Sequence, residues 1–257
     1  MKLIVLVKQV PDTGGERALD LTTGRVDREA SEPVIDEIVE RALEVALGHK
    51  DANKGTEVVA LSMGPDTTVA ALRRALAMGA DSAVLVQDDD LRGSDVARTS
   101  AVLAAALRRT GFDLVVAGNE STDGRGGMVP AMVAEHLGVP HLTFLNAVEI
   151  TGNEVAGVRA GDDGTEEVRA PLPAVLSVTE RAAEPRYPSF KGIMTAKRKP
   201  LEVLTLTDLD GQATASASRT TVVSTSERPP RAAGTKIVDT GTAGAELADF
   251  LAAARLI

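Results

Sequence analysis

Cysteine is absent from this 257-residue chain, which excludes a disulfide framework and thiolate chemistry. Tryptophan is absent too, and one tyrosine with four phenylalanines leaves aromatics at 2%. The core must therefore be aliphatic, drawn from the Ala, Val and Leu that dominate a 44% hydrophobic composition. Histidine is scarce: His49, His136 and His141 lack ligand spacing, so no zinc site is expected. No apolar run approaches the roughly 18 residues that a spanning helix needs, so no direct membrane insertion is expected. The opening MKLIVLVKQVPD reads as a strand rather than a signal or transit peptide. An excess of positive charge is also missing. With 28 Lys and Arg against 37 Asp and Glu the net charge is −9, which would repel nucleic acid phosphates. These absences together predict a cytoplasmic globular protein.

What is present is an alternation. Leu3–Val7 is a continuous apolar run of parallel-strand type. Apolar pairs at 34–35, 38–39, 42–43 and 46–47 then recur at three and four, placing one apolar stripe on a helix. Strands follow at Val58–Leu61, Ala83–Val86 and Leu114–Ala117. Helices run from Pro65 through Met78, from Ser94-Asp95 to Arg109 and from Met128 to Leu137. Gly79, Gly111 and Gly138 stop them. The pattern predicts an α/β fold with a doubly wound, mainly parallel sheet and right-handed crossovers. From Ala147 to Thr179 the alternation gives way to extended segments, read as β additions. Residues 1–211 are expected to form this domain. Residues 212–257 are expected to form an extended linker, rich in Ser, Thr and Arg, and a terminal helix at Ala243–Arg255. Composition suits such an arm equally to wrapping a partner and to moving freely.

One loop has the makings of a nucleotide site. Gly118-Asn119-Glu120-Ser121-Thr122-Asp123-Gly124-Arg125-Gly126-Gly127 follows a parallel strand and precedes a helix. Ligands of open α/β sheets bind at such strand ends. Glycines allow close approach to an anion, and the first N–H groups of the helix point at it. Ser121, Thr122 and Arg125 add donors. The loop is neither a Walker loop nor the Gly-x-Gly-x-x-Gly fingerprint. A plain glycine-rich connector capped by Asp123 remains the alternative. Leu6–Lys8 and Ser62-Met63-Gly64 should open onto the same crevice, with Glu32-Pro33-Val34-Ile35 beside it. Lys8 could neutralise a phosphate or simply be solvated. No Ser/His/Asp constellation stands out, and Asp88-Asp89-Asp90 reads as a solvated turn. Catalysis is not expected; an ATP-hydrolysing or nucleotide-sensing protein, with Glu120 and Asp123 as its carboxylates, is the competing class.

A second loop carries scarce aromatics. Glu184-Pro185-Arg186-Tyr187-Pro188-Ser189-Phe190-Lys191-Gly192-Ile193-Met194-Thr195 contains the only tyrosine. Its prolines and glycine predict irregular backbone through Gly192. Apolar area spent in such a loop points to a contact with something else. Arg186, Lys191, Lys197 and Arg198 would steer it towards acidic surfaces.

These segments are similar to the β-subunit family of electron transfer flavoproteins. The likeness is carried by Val5–Asp12, by Ala75-Leu76-Ala77-Met78-Gly79-Ala80-Asp81, by Asp113–Gly118 with Thr122-Asp123-Gly124, and by Leu172–Val175 through Glu184–Tyr187 to Lys197. Pro229-Pro230-Arg231 and Ala233-Gly234 extend it into the tail, so it covers essentially the whole chain. The resemblance implies a Rossmann-like fold of the adenine-nucleotide type and an electron-carrier subunit without catalytic residues. It implies an α subunit that holds most of a redox-active FAD, and a structural AMP in this chain. Electrons would arrive from acyl-CoA and related dehydrogenases and leave to a quinone reductase. The AMP site would comprise Leu6, Glu32 to Ile35, Met63 and Gly118 to Val129, including Met128. The partner-recognition loop would be Glu184 to Thr195, with Phe190 where the family usually places an apolar anchor, often Leu. Three departures stand out. Glu32 replaces a common Asn, the loop lacks the common Gly-Lys-Gln-Ala-Ile-Asp, and Thr13 stands where some relatives have Tyr. The Asp-Gly-Asp-Thr form of many bifurcating members is missing, which favours AMP over a second FAD.

Overall fold

The computed structural model describes residues 1–15, 18–28, 30–209, 217–227, 229–231 and 234–257. The expected domain boundary at 211/212, the linker's first residues from Gln212 and Ala233 of the tail motif lie outside these residues. The chain divides into two compact units, Met1–Val223 and Ser224–Ile257.

The first unit is built on β1 (Lys2–Leu6), β6 (Glu57–Met63), β7 (Ser82–Val86), β8 (Leu114–Gly118), β12 (Ala174–Val178) and β13 (Leu201–Leu204). These join β9 (His141–Thr151), β10 (Glu154–Gly161) and β11 (Gly164–Pro171) in one sheet. Its order is β11-β10-β9-β12-β8-β1-β6-β7-β13. From β9 to β13 all neighbours are parallel, while β9, β10 and β11 form an antiparallel extension at one edge. Two short ladders lie outside it: β2 (Gln9–Pro11) with β5 (Pro33–Ile35), and β3 (Leu19–Asp20) with β4 (Arg25–Val26). The fold is thus α/β and Rossmann-like, with a mainly parallel sheet.

Strand residues alternate between two cores, as a period of two demands. Leu3, Val5, Val58, Ala60, Leu114 and Val116 join one cluster; Ile4, Leu6, Val59, Leu61, Val115 and Ala117 join the other. The first core is covered by α1 (Glu37–Ala52), α2 (Val69–Met78) and the short α5 (Phe190–Ala196). The second is covered by α3 (Val96–Thr110) and α4 (Val129–Leu137). Helices on both faces explain why the strands read as unbroken apolar runs. After β1 the chain fills β6 and β7 on one side, then crosses to β8 on the other. The switch point therefore falls between β1 and β8, where their C-terminal ends part.

Two expectations need correcting. Val34-Ile35, counted as the first pair of the helical stripe, is not on the helix, because Pro33–Ile35 is β5, paired with Gln9–Pro11, and α1 starts only at Glu37. The 184–195 segment is not irregular through Gly192. Ser189 accepts the N–H of Gly192 and caps α5, whose first residue is Phe190. Pro185 and Pro188 precede the helix, where a missing N–H costs nothing. Strand β13 went unread because its four residues follow Pro200 directly; it forms by pairing with β7.

The second unit contains α6 (Ala243–Ala253), none of whose residues is buried. Leu247, Phe250, Leu256 and Ile257 are exposed on it or just beyond. Among the described residues no helix is long and apolar enough to cross a membrane.

Candidate functional site

β1, β6 and β8 are sheet neighbours, so Leu6, Met63 and Gly118 reach one edge together. Ser62 links two of these exits by donating its hydroxyl to the Val7 carbonyl at 2.7 Å. The loop after β8 is held from three directions. Lys8, just beyond β1, donates to Asp123 Oδ1 at 2.7 Å and to Ser121 Oγ at 2.9 Å. Arg28 donates to Asp123 Oδ2 at 2.8 Å. The Asp123 side chain is 1% exposed. Burial alone would disfavour its charge, but Lys8, Ser121 and Arg28 outweigh that and hold its carboxyl well below the usual carboxylate range.

The third support is Asp36. Its Oδ1 accepts Ile38 N–H at 2.9 Å and Val39 N–H at 3.3 Å, capping α1. Its Oδ2 accepts both the N–H and the hydroxyl of Thr122, at 2.7 and 2.8 Å. Its own N–H donates to the Lys8 carbonyl at 3.0 Å. One fully buried residue, through its carboxylate and its own N–H, therefore joins the chain just beyond β1, the start of α1 and the loop after β8. Asp36 was not among the predicted site residues. Its position before an apolar stripe marks a helix cap, but its hold on Thr122 spans 86 residues of sequence.

Past Asp123 the backbone turns sharply. Arg125 and Gly127 have φ of 48° and 63°. Phe144 on β9, also at φ 60°, brings its ring against Gly127. Such a φ is rare for a bulky residue and marks a spot the surroundings over-determine. Gly118 lies so close to Ile38 that a Cβ would come within 3.1 Å of its Cγ2. Helix α4 starts at Val129 without a side-chain cap, and Pro130 in its first turn has no N–H to donate. Asp123 thus anchors the loop rather than capping the helix. Asn119 is buried, and its Oδ1 has no hydrogen-bond partner among the described residues. Glu120, Gly124, Gly126 and Met128 complete the loop. Glu32 is exposed, its carbonyl accepting Asp12 N–H at 2.9 Å.

The 184–195 segment lies elsewhere, beside α1 and α2. Arg186 makes a two-pronged contact with Glu44, Nε to Oε2 at 2.7 Å and Nη2 to Oε1 at 2.8 Å. Its Nη1 reaches Asp51 at 2.8 Å. The Glu44 hydrogen bonds, aided by Asp51, outweigh burial and hold the guanidinium charged. Arg186 is therefore spent on α1 and is not a free steering charge. Arg41 adds a bond to the Ala183 carbonyl at 2.7 Å. With its base fixed, the segment exposes Tyr187 by 87% and Phe190 by 81%, with Ile193 and Met194 also exposed. Gly192 permits this packing: a Cβ there would lie 2.2 Å from the Ala77 carbonyl oxygen of α2.

The fold and these two surfaces define a class: a doubly wound α/β protein with a glycine-rich loop pinned at its switch point and a separate, propped-out apolar patch. The comparisons are more specific. Residues 23–209 match the electron transfer flavoprotein domain. The chain is 48% identical to electron transfer flavoprotein subunit beta of Mycobacterium tuberculosis, over 99% of both chains. It is 47% identical to the protein of that name from Mycobacterium leprae, again over 99% of each. It is also 36% identical to caffeyl-CoA reductase-Etf complex subunit CarD of Acetobacterium woodii, over 98% of this chain and 96% of that one. The chain belongs to the electron transfer flavoprotein family, as a β subunit. Electron transfer, association with flavin and pairing with an α subunit are the properties of that family.

Proposed function

We propose that this chain binds AMP at the switch-point loop and serves as the β subunit of a heterodimer whose α subunit holds most of the FAD. The observation that carries the nucleotide reading is the loop itself. Lys8, Arg28 and Asp36 fix it in place, α4 offers uncapped N–H groups, and the buried Asn119 oxygen is left for a donor. A phosphate suits the helix end, and an adenine amine or ribose hydroxyl suits Asn119. Leu6, Glu32 to Ile35 and Met63 would line the remainder. FAD, when bound at the heterodimer, supplies the redox chemistry; this chain supplies architecture and no catalytic residue.

In this reading the patch of Tyr187, Phe190, Ile193 and Met194 docks donor dehydrogenases of the acyl-CoA type. Large apolar residues on a rigid base are the usual anchors of small, transient interfaces. Electrons would leave to a quinone reductase, from a cytoplasmic complex. The apolar side chains exposed in the 224–257 unit suit burial on the α subunit.

Co-expression with the α subunit tests the reading. A yellow heterodimer that releases both FAD and AMP on acid extraction is expected. Stoichiometric FAD in the isolated β chain would replace AMP by a second flavin, and ATP turnover would favour the hydrolase class.

A further inference from the structure

Helix α3 begins at Asp95, and the two carboxylate oxygens of that residue face different parts of the chain. Oδ1 accepts Arg98 N–H at 2.9 Å, an ordinary helix cap. Oδ2 accepts the backbone N–H groups of Arg219 at 2.7 Å and Thr220 at 3.0 Å. The N–H of Asp95 donates to Ser218 Oγ at 2.9 Å, and that hydroxyl donates to the Gly93 carbonyl at 3.1 Å. Three consecutive residues, more than 120 positions downstream, are thus bound by one carboxylate and its adjoining turn. Arg219 and Thr220 are exposed and Ser218 only partly covered, so the attachment is polar rather than a packed core. The Arg98 N–H first, then that of Arg219, draw the Asp95 pKa down to about 2, so the carboxylate is charged at neutral pH.

The place of this clasp gives it meaning. Residues 217–227 have no regular secondary structure, and the chain continues into the unit that exposes Leu247, Phe250, Leu256 and Ile257. A tether whose root is loose must lose more conformational freedom on binding than one whose root is already fixed.

We propose that Asp95 is a positioning residue for subunit assembly: its carboxylate pins the root of the C-terminal arm, so that the arm meets the α subunit from a fixed origin. This rests on the reading above that the arm engages that subunit. It also separates the two oxygens, one serving the helix and one serving the arm.

Asp95→Asn uses that separation. The amide oxygen keeps the cap on Arg98, while the NH2 group replaces Oδ2 and opposes two N–H donors. Ser218→Ala loosens the same root without touching the cap. Amide hydrogen exchange on the isolated chain should accelerate at Arg219 and Thr220 by about tenfold or more in both variants, in Asp95→Asn from loss of the charge-assisted bonds and in Ser218→Ala from loosening of the adjoining turn. Exchange within α3 should stay unchanged. The dissociation constant for the FAD-loaded α subunit should rise by roughly tenfold, mostly through faster dissociation. Unchanged exchange at Arg219 and Thr220 would overturn the clasp. Faster exchange with unaltered affinity would overturn its role in assembly. If the unsubstituted chain formed no complex with the α subunit, the functional reading itself would fall, and the assembly role with it.

Discussion

Asp36 concentrates more structural duties than any other side chain of the site. It is fully buried, caps α1 and receives two bonds from Thr122. Asp36→Ala removes the cap and both hydrogen bonds from Thr122, so a loss of about 2–4 kcal/mol is expected. Thermal melting by circular dichroism would measure it, since the chain has no tryptophan to report. Nucleotide retention should fall in parallel. Gly192 is the counterpart at the other surface. Its φ is ordinary, but a Cβ would sit 2.2 Å from the Ala77 carbonyl oxygen, and a backbone atom cannot move aside cheaply. Gly192→Ala should cost about 1–3 kcal/mol through forced separation of α5 from α2. Phe190→Ala, by contrast, removes an exposed ring and should leave stability within about 0.5 kcal/mol. It should weaken electron uptake from dehydrogenases while the flavin spectrum stays intact, and unchanged kinetics across several donors would remove the docking assignment.

At the scale of elements, α1 is a strut with work at both ends. Its N-terminus holds the loop after β8 through Asp36, and its outer face holds the 184–195 segment through Arg41, Glu44 and Asp51. The sequence marks this helix clearly, because the apolar stripe repeats through three pairs along it, at 38–39, 42–43 and 46–47. Its charged face reads only as solvated, since nothing local says that Glu44 waits for a residue 142 positions on. The loop after β8 depends on charge as well as chain geometry. Because the folded pKa of Asp123 is depressed, its contribution is complete above the ordinary carboxylate pKa of about 4 and is lost as pH falls below it. Lys8 is the main attractive cause. Lys8→Met should therefore move the acid loss of stability to higher pH, visible in melting curves collected between about pH 2 and pH 6.

For the whole molecule, the proposed function divides the labour between two surfaces and the arm: one loop proposed for a nucleotide, one patch for visiting proteins and an exposed tail for the α subunit. A chain ending at Val223 should keep its core and melt near the parent, while binding the α subunit at least about tenfold more weakly for want of the apolar contacts of α6. Titration calorimetry against the purified α subunit would check it. The legible parts of this plan were those with strong local signals. Strand–helix alternation, glycine stops and the Gly118–Gly127 loop are all short-range patterns. The α5 helix was hidden by Pro185, Pro188 and Gly192, which look like breakers until Ser189 is seen to cap a helix after both prolines. Arg186 read as a free charge because its acceptors lie on another element.

Composition and periodicity alone determined an aliphatic, cysteine-free, acidic α/β chain, and the resemblance of its motifs named the family. Those properties follow from local hydrophobic spacing and backbone preference, which each segment carries by itself. Tertiary structure alone decided where charge is spent. Lys8 and Arg28 close on Asp123, Asp36 closes on Thr122, Arg186 on Glu44, and Asp95 on the root of the arm. Each joins residues far apart in sequence, and a polar partner is fixed by where the folded chain places it, not by the identity of its neighbours.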